Sequence, residues 1–253
     1  MVQLKADETL DDLLIGDLKV IQKKNGFRFT LDSVLLAHFA HVKEGDRVVD
    51  LGTGTGIIPL ILSTRAAKLS ICGVELHEEM VEMAERSVKL NKAEGYIQIR
   101  KADIKDIHKT LAGGENTLVT ANPPYWTIKE GKHSEVYLKA TARHELVCTL
   151  EDFLGAAAKL LNYQGRFAMI HRTERLVDVF ELLRKYELEP RRIRFVHSFA
   201  GKSSRHVLIE ARRKAPAELL VLPPLVVYRA PGEYTEEVMG WYGKGEDAHD
   251  HSD

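Results

Sequence analysis

The chain has 253 residues, 44% of them hydrophobic and 29% charged, with a net charge of −1. That is enough for one large α/β domain with its own core, and too apolar for a disordered polymer. A charge balance this even does not name a partner, because a global sum hides local patches. Two cysteines without metal-ligand spacing, Cys72 and Cys148, point to a reducing compartment. The acidic start MVQLKADETLDD has no apolar signal-peptide region, and no apolar run is long enough to span a membrane. The expectation is a cytoplasmic protein with no membrane partner.

Strand and helix patterns alternate along the chain. DRVVDL (46–51) is a β-branched strand followed by GTGTG and the apolar helix IIPLILSTRAA. LSICGVEL (69–76) is a second strand, and HEEMVEMAERSVKLN (77–91) a helix with Val81, Ala84 and Val88 on one face. YIQIRKAD (96–103) and NTLVTANPP (116–124) give a third and a fourth strand. LEDFLGAAAKLLNYQG (150–165) is predicted as a helix ended by Gly165, and RFAMIHR as the fifth strand. TERLVDVFELLRKYE (173–187) is predicted as a helix opened by a Thr cap. RRIRFVHSF and RHVLIEARR are separated only by AGKSS, too short for a helical crossover, so they should form an antiparallel hairpin. The result is an α/β, Rossmann-like, doubly wound sheet, mostly parallel, whose ligands bind beyond the carboxyl ends of the strands. Residues 243–253, GKGEDAHDHSD, are predicted as a disordered tail, with His249 and His251 solvated and not metal-binding.

That edge collects the chemistry-bearing residues. Gly52, Gly54 and Gly56 alternate after the first strand, where bare backbone lets a ligand approach. A dinucleotide fingerprint needs G-x-G-x-x-G, and here the last spacing is one residue short. Asp50 just before the loop would also repel a pyrophosphate. A cationic, phosphate-free ligand such as S-adenosylmethionine suits the site better. Glu75, ending the second strand, is placed to accept both ribose hydroxyls, and Asp103, ending the third, to take the adenine amine.

DLGTGTG, VELHEEMVEMA, KADI and NPPY occur in the order of the motifs of the class I S-adenosylmethionine-dependent methyltransferases, which the sequence resembles. The resemblance implies a seven-stranded sheet whose last strand inserts antiparallel. In that family the fourth motif marks methylation of a planar amino nitrogen on a base or a glutamine amide. The side-chain oxygen of Asn122 and the carbonyl of Pro123 would accept the amine hydrogens and steer its lone pair toward the methyl sulfonium. Pro124 stiffens the segment, and Tyr125 offers a face for the target to stack on. No metal is called for.

NGFRFTLDSVLLAHFAHV (25–42) resembles the N-terminal segment of the tRNA adenine-N6 methyltransferases acting beside the anticodon of valine tRNA. LLVLPPLVVYRAPGEYTEEVMGWYG (219–243) resembles their close. This implies that residues 1–45 form an extension over the cofactor site, with Arg28 and Asp32 in contact with it. Residues 46–214 then form the methyltransferase domain and 215–242 a C-terminal extension. The expected partner is tRNA, with adenine N6 as acceptor at the nucleotide 3′ of the anticodon. A release-factor glutamine or an rRNA guanine N2 is the alternative acceptor, and a non-catalytic nucleotide-binding module is disfavoured by the intact fourth motif. Residues 165–214 carry 13 basic and 6 acidic side chains, a net +7 that suits phosphate binding. The polar stretch 126–145 has the length of a gating loop, and its His144 is read as a satisfied loop residue. His38 and His41 are read as surface or packing residues.

Overall fold

The structure, a computed structural model, describes residues 2–25, 31–124 and 148–242. Arg28, Phe29, Thr30, Tyr125, the 126–145 stretch with His144, and the tail from 243 onward lie outside the described residues. The elements run β1 (Glu8–Asp12), β2 (Lys19–Lys23), α1 (Leu31–Phe39), β3 (Arg47–Leu51), α2 (Ile57–Ser63), β4 (Ser70–Glu75), α3 (Glu78–Leu90), β5 (Ile97–Lys101) and β6 (Asn116–Ala121). They continue with α4 (Leu150–Leu160), β7 (Leu161–Arg172), α5 (Leu176–Lys185), β8 (Leu188–Phe199), β9 (His206–Arg213), β10 (Leu220–Val221), β11 (Leu225–Ala230), β12 (Glu233–Tyr234) and α6 (Glu236–Trp241).

The sheet order is β12-β11-β8-β9-β7-β6-β3-β4-β5, with β10 beside β8. β3, β4, β5, β6 and β7 are parallel neighbours, and β9 runs antiparallel between β7 and β8, as the short AGKSS connection requires. The sheet therefore exceeds the expected seven strands. The C-terminal segment adds β10, β11 and β12 along the β8 edge instead of standing apart. Strand alternation divides the core: Ala168 and Ile170 of β7 face a layer with α1, α2 and α6, while Phe167 and Met169 face α4 and α5. Burying both faces explains the near-continuous apolar runs in β3 and β6.

Two local readings are corrected, and one element is new. The helix after NPPY ends at Leu160, and Gly165 belongs to β7. The buried Asn116 amide donates to the Leu160 carbonyl (3.1 Å), and Leu161 is already extended, so a long-range partner stops the helix before its sequence signal does. Thr173 does not cap α5; it opens a 3-10 turn, and its hydroxyl lies 3.0 Å from that of Ser204. The hairpin β1–β2 was not anticipated, because ETLDD lacks apolar alternation. It is held to α3 by polar contacts: Arg86 grips the buried Glu8 carboxylate (2.6 and 2.8 Å), and Ile21 N–H donates to Ser87 (3.0 Å).

Candidate active site

The carboxyl ends of β3, β4, β5 and β6 are in register: Leu51 lies beside Val74 and Ala121, and Glu75 beside Lys101. Gly52, Glu75, Asp103 and Asn122 therefore stand along one edge of the sheet. Gly52, Gly54 and Gly56 have φ of 70°, 58° and 86°, so the turn is built from left-handed backbone that L side chains rarely adopt. A Cβ on Gly54 would meet nothing within 4 Å, leaving open space over the loop. On the other side, Gly73 lets Thr53 sit down on β4, since a Cβ there would come within 2.9 Å of it.

Glu75 ties the loop to β4. Its Oε2 accepts from Gly54 N–H (3.0 Å), while Oε1 accepts from Leu76 N–H and His77 N–H (2.9 Å each) and lies 2.8 Å from His77 Nδ1. A carboxylate offers about four lone-pair positions. Oε1 is crowded, so Oε2 is the oxygen with capacity left for a ribose hydroxyl. Burial pushes the carboxyl pKa up, but the bonds from His77 and Gly54 outweigh it and hold the group ionised below its ordinary value. The bond to Glu75 in turn raises the pKa of His77 against the pull of burial.

Asp50 sits one residue deeper than the loop, fully buried in β3 opposite Thr120. Thr120 donates to Oδ1 (2.6 Å), and Oδ2 has no partner among the described residues. Burial pushes its pKa up to about 7, against the Thr120 and Thr53 hydroxyls and with a further push from the nearby Glu75 charge. A buried carboxylate oxygen lacking a donor is costly by itself. Asp103 caps the 3-10 turn Ile104–Lys109 by accepting from Lys105 N–H (2.9 Å), and Cys148 Sγ lies 3.9 Å away. The expected acids thus lie at or just beyond the ends of three neighbouring strands.

Asn122 follows β6 directly, with Pro123 buried behind it and Pro124 exposed. Its Nδ2 donates to Ser33 Oγ of α1 (3.4 Å), making Oδ1 the acceptor end of the amide. Asp32, on the same turn of α1, lies 3.9 Å from His206 at the start of β9. The first turn of α1 therefore stands between the end of β6 and the start of β9. Sequence reasoning did not single out Ser33, His77, Thr120 or His206. His77 was readable two residues after Glu75, whereas the others join the site only across the sheet. His38 is a packing residue, stacked on Trp241 with centroids 4.8 Å apart, and burial pushes its pKa down to about 4.

The basic segment changes meaning on folding. Arg166 is buried against Asp46, and Arg191, Arg192 and Arg194 pair with Glu218, Glu210 and Glu237. Much of the +7 is neutralised by acids drawn in part from outside the segment. No group of His, Cys, Asp or Glu suited to a metal occurs among the described residues, and no described helix is long and apolar enough to cross a membrane.

Known proteins resemble this chain in sequence and in fold. The methyltransferase small domain model matches residues 30–187. A tRNA1(Val) (adenine(37)-N6)-methyltransferase of Porphyromonas gingivalis is 29% identical over 221 residues, covering 83% of this chain and 85% of its own. A predicted O-methyltransferase of Agrobacterium tumefaciens superposes with a TM-score of 0.68 at 21% identity, over 84% of this chain and 95% of its own. A geranyl diphosphate C-methyltransferase of Streptomyces coelicolor, solved with S-adenosyl-L-homocysteine, superposes at 0.52 with 14% identity, over 72% of this chain and 77% of its own. These last two likenesses speak for the fold. With the family model matching more than half of its length, the chain belongs to the methyltransferase small domain family.

Proposed function

We propose that this chain is an S-adenosylmethionine-dependent methyltransferase acting on adenine N6 of tRNA, at the adenosine 3′ of the anticodon. The observation that carries it is the single edge on which Glu75, Asp103 and Asn122 meet the open glycine turn. S-adenosylmethionine supplies an electrophilic methyl group on a sulfonium. Glu75 Oε2 holds the ribose, Asp103 the adenine amine, and Asp50 Oδ2 the cationic end. The start of α1, tied to Asn122 through Ser33, borders the site as part of the 1–45 extension of the 46–214 domain.

A base amine is a poor nucleophile because its lone pair is delocalised into the ring. Asn122 Oδ1 and the Pro123 carbonyl accept its two hydrogens, hold it in line and favour the lone pair on the free face. Buried Pro123 contributes no competing N–H, so its carbonyl is a fixed acceptor. Tyr125 stacks on the base, which an anticodon loop presents already unpaired. The tRNA acceptor is supported by the name of the Porphyromonas relative, which aligns over 83% of this chain.

The test offers a labelled methyl donor with unmodified tRNA, duplex DNA and a release factor. N6-methyladenosine beside the anticodon is expected. Label in the release factor alone, or N2-methylguanosine as product, overturns the acceptor assignment. Asn122→Ala should lower the transfer rate by roughly 10²–10³ with cofactor affinity kept, the scale for losing one preorganised polar contact. A wild-type rate in that variant would remove Asn122 from the chemistry.

A further inference from the structure

We propose that the turn joining β8 to β9, through Lys202 and Arg205, is the surface that takes the phosphates of the tRNA around the target base. This rests on the tRNA reading above and adds to it the part of the protein that grips the substrate.

Position is the first argument. β9 enters antiparallel, so the turn before it lies at the carboxyl end of β7, where Arg172 is opposite His206. A short chain of contacts leads there from the acceptor site. Asn122 donates to Ser33, neighbouring Asp32 faces His206, and Arg205 precedes His206 and accepts from Thr173 N–H through its carbonyl (3.1 Å). The turn therefore borders the edge on which the reacting base must sit.

Charge is the second argument. Arg191, Arg192 and Arg194 are committed to carboxylates, and an ion pair offers a phosphate no net charge. Lys202 and Arg205 are exposed, and neither makes an ion pair among the described residues. At the neighbouring His206, burial and the charges of Arg172 and Arg205 hold the pKa down, while Asp32, the strongest single charge acting on it, pulls it up. The exposed acid adjoining the turn is Glu174. Between the turn and the start of β11 lies a hollow of about 520 Å³ whose lining includes Lys202, His197 and Pro224 and no acid. Within that hollow a sugar–phosphate strand meets no like charge, and Glu174 stands outside its lining.

Preorganisation is the third argument. The Lys202 carbonyl lies 2.6 Å from His197 Nδ1, and Lys202 N–H donates to Phe199 O (3.2 Å). Ser204 Oγ lies 3.0 Å from Val196 O and 2.8 Å from His206 O. A turn already fixed in shape loses little entropy when it meets a strand.

The experiment measures tRNA affinity against salt for the wild type and for K202E/R205E, with S-adenosylmethionine affinity measured on the same samples. Each single-strand phosphate contact contributes about 0.7 to the slope of log affinity on log salt, so losing two should flatten it by about 1.4. Affinity near 0.1 M salt should fall by about tenfold or more. Cofactor affinity should hold, and K185E, reversed at the far end of α5, should keep the wild-type slope. K202Q/R205Q serves as the milder pair should the double reversal lose cofactor binding. A full slope in a pair that still binds cofactor overturns the surface while leaving the tRNA reading intact. A wild type that neither binds nor methylates tRNA overturns both.

Discussion

The glycine-loop edge and the β8–β9–β11 end of the same sheet use charged residues in opposite ways. At the loop edge, acids are buried and held mainly by backbone amides and a hydroxyl: Glu75 by Gly54, Leu76 and His77, and Asp50 by Thr120. Glu75 also meets the His77 ring, and Asp50 keeps one oxygen without a hydrogen bond among the described residues. At the C-terminal end, guanidinium meets carboxylate in pairs that fasten one segment to another, as Arg191 does with Glu218 and Arg194 with Glu237. The lesson is that a net charge counted along the sequence does not mark a binding surface. What matters is which charges folding leaves without a partner.

The largest expected break in this contrast is Arg166→Ala. Arg166 donates to Asp46 and to the His41 carbonyl (2.7 Å), with both charged side chains only 6% exposed. Removing one partner of a buried pair costs about 3–5 kcal/mol, which chemical denaturation would read directly. Stability equal to wild type would show that this pair does not fasten the amino end of the sheet. Next comes Glu75→Ala, which should weaken S-adenosylmethionine binding by about 1.5–3 kcal/mol through loss of charge-assisted bonds. Calorimetry reads it, and an unchanged dissociation constant would take Glu75 out of the site.

A third test uses pH. Asp50, with a pKa raised to about 7, is increasingly neutral below that value, whereas a cationic ligand favours its ionised form. Cofactor affinity should therefore rise with pH between 5.5 and 7.5, by at most about tenfold per unit, and Asp50→Asn should flatten the rise. His77, whose pKa is raised by its bond to Glu75, is a second titratable group beside the loop, so His77→Gln serves as the control. For the ligand-free chain the sign is reversed. A carboxyl raised from 3.8 to about 7 takes up more protons folded than unfolded, so its contribution to folding stability is lost as pH rises across that interval. The smallest effect belongs to Arg194→Gln. Its two bonds to Glu237 (2.5 and 2.8 Å) are partly exposed, so stability should drop by about 1 kcal/mol or less. A marked loss of tRNA affinity in that variant would restore the arginine run as part of the RNA surface.

Much of the site was legible because it is local. The loop glycines, Glu75, Asp103 and Asn122 each end a strand, and strand ends can be read from periodicity and punctuation. In a parallel sheet they must then share an edge. Ser33 and His206 were not legible, because each reaches the site only by a contact across many residues of chain. Gly165 misled as a helix stop because Asn116, on a strand earlier in the chain, takes the Leu160 carbonyl first.

The sequence by itself determined the order of strands and helices between β3 and β9, the antiparallel closing hairpin and the placing of Glu75 and Asp103 at strand ends. Each follows from spacing within a few residues. Tertiary structure alone decided that the C-terminal segment joins the main sheet through β10, β11 and β12. It alone decided that Arg191, Arg192 and Arg194 are ties while Lys202 and Arg205 are exposed cations. The reason is physical: pairing of charges depends on distances of a few ångströms between residues far apart in the chain, and composition carries no record of them.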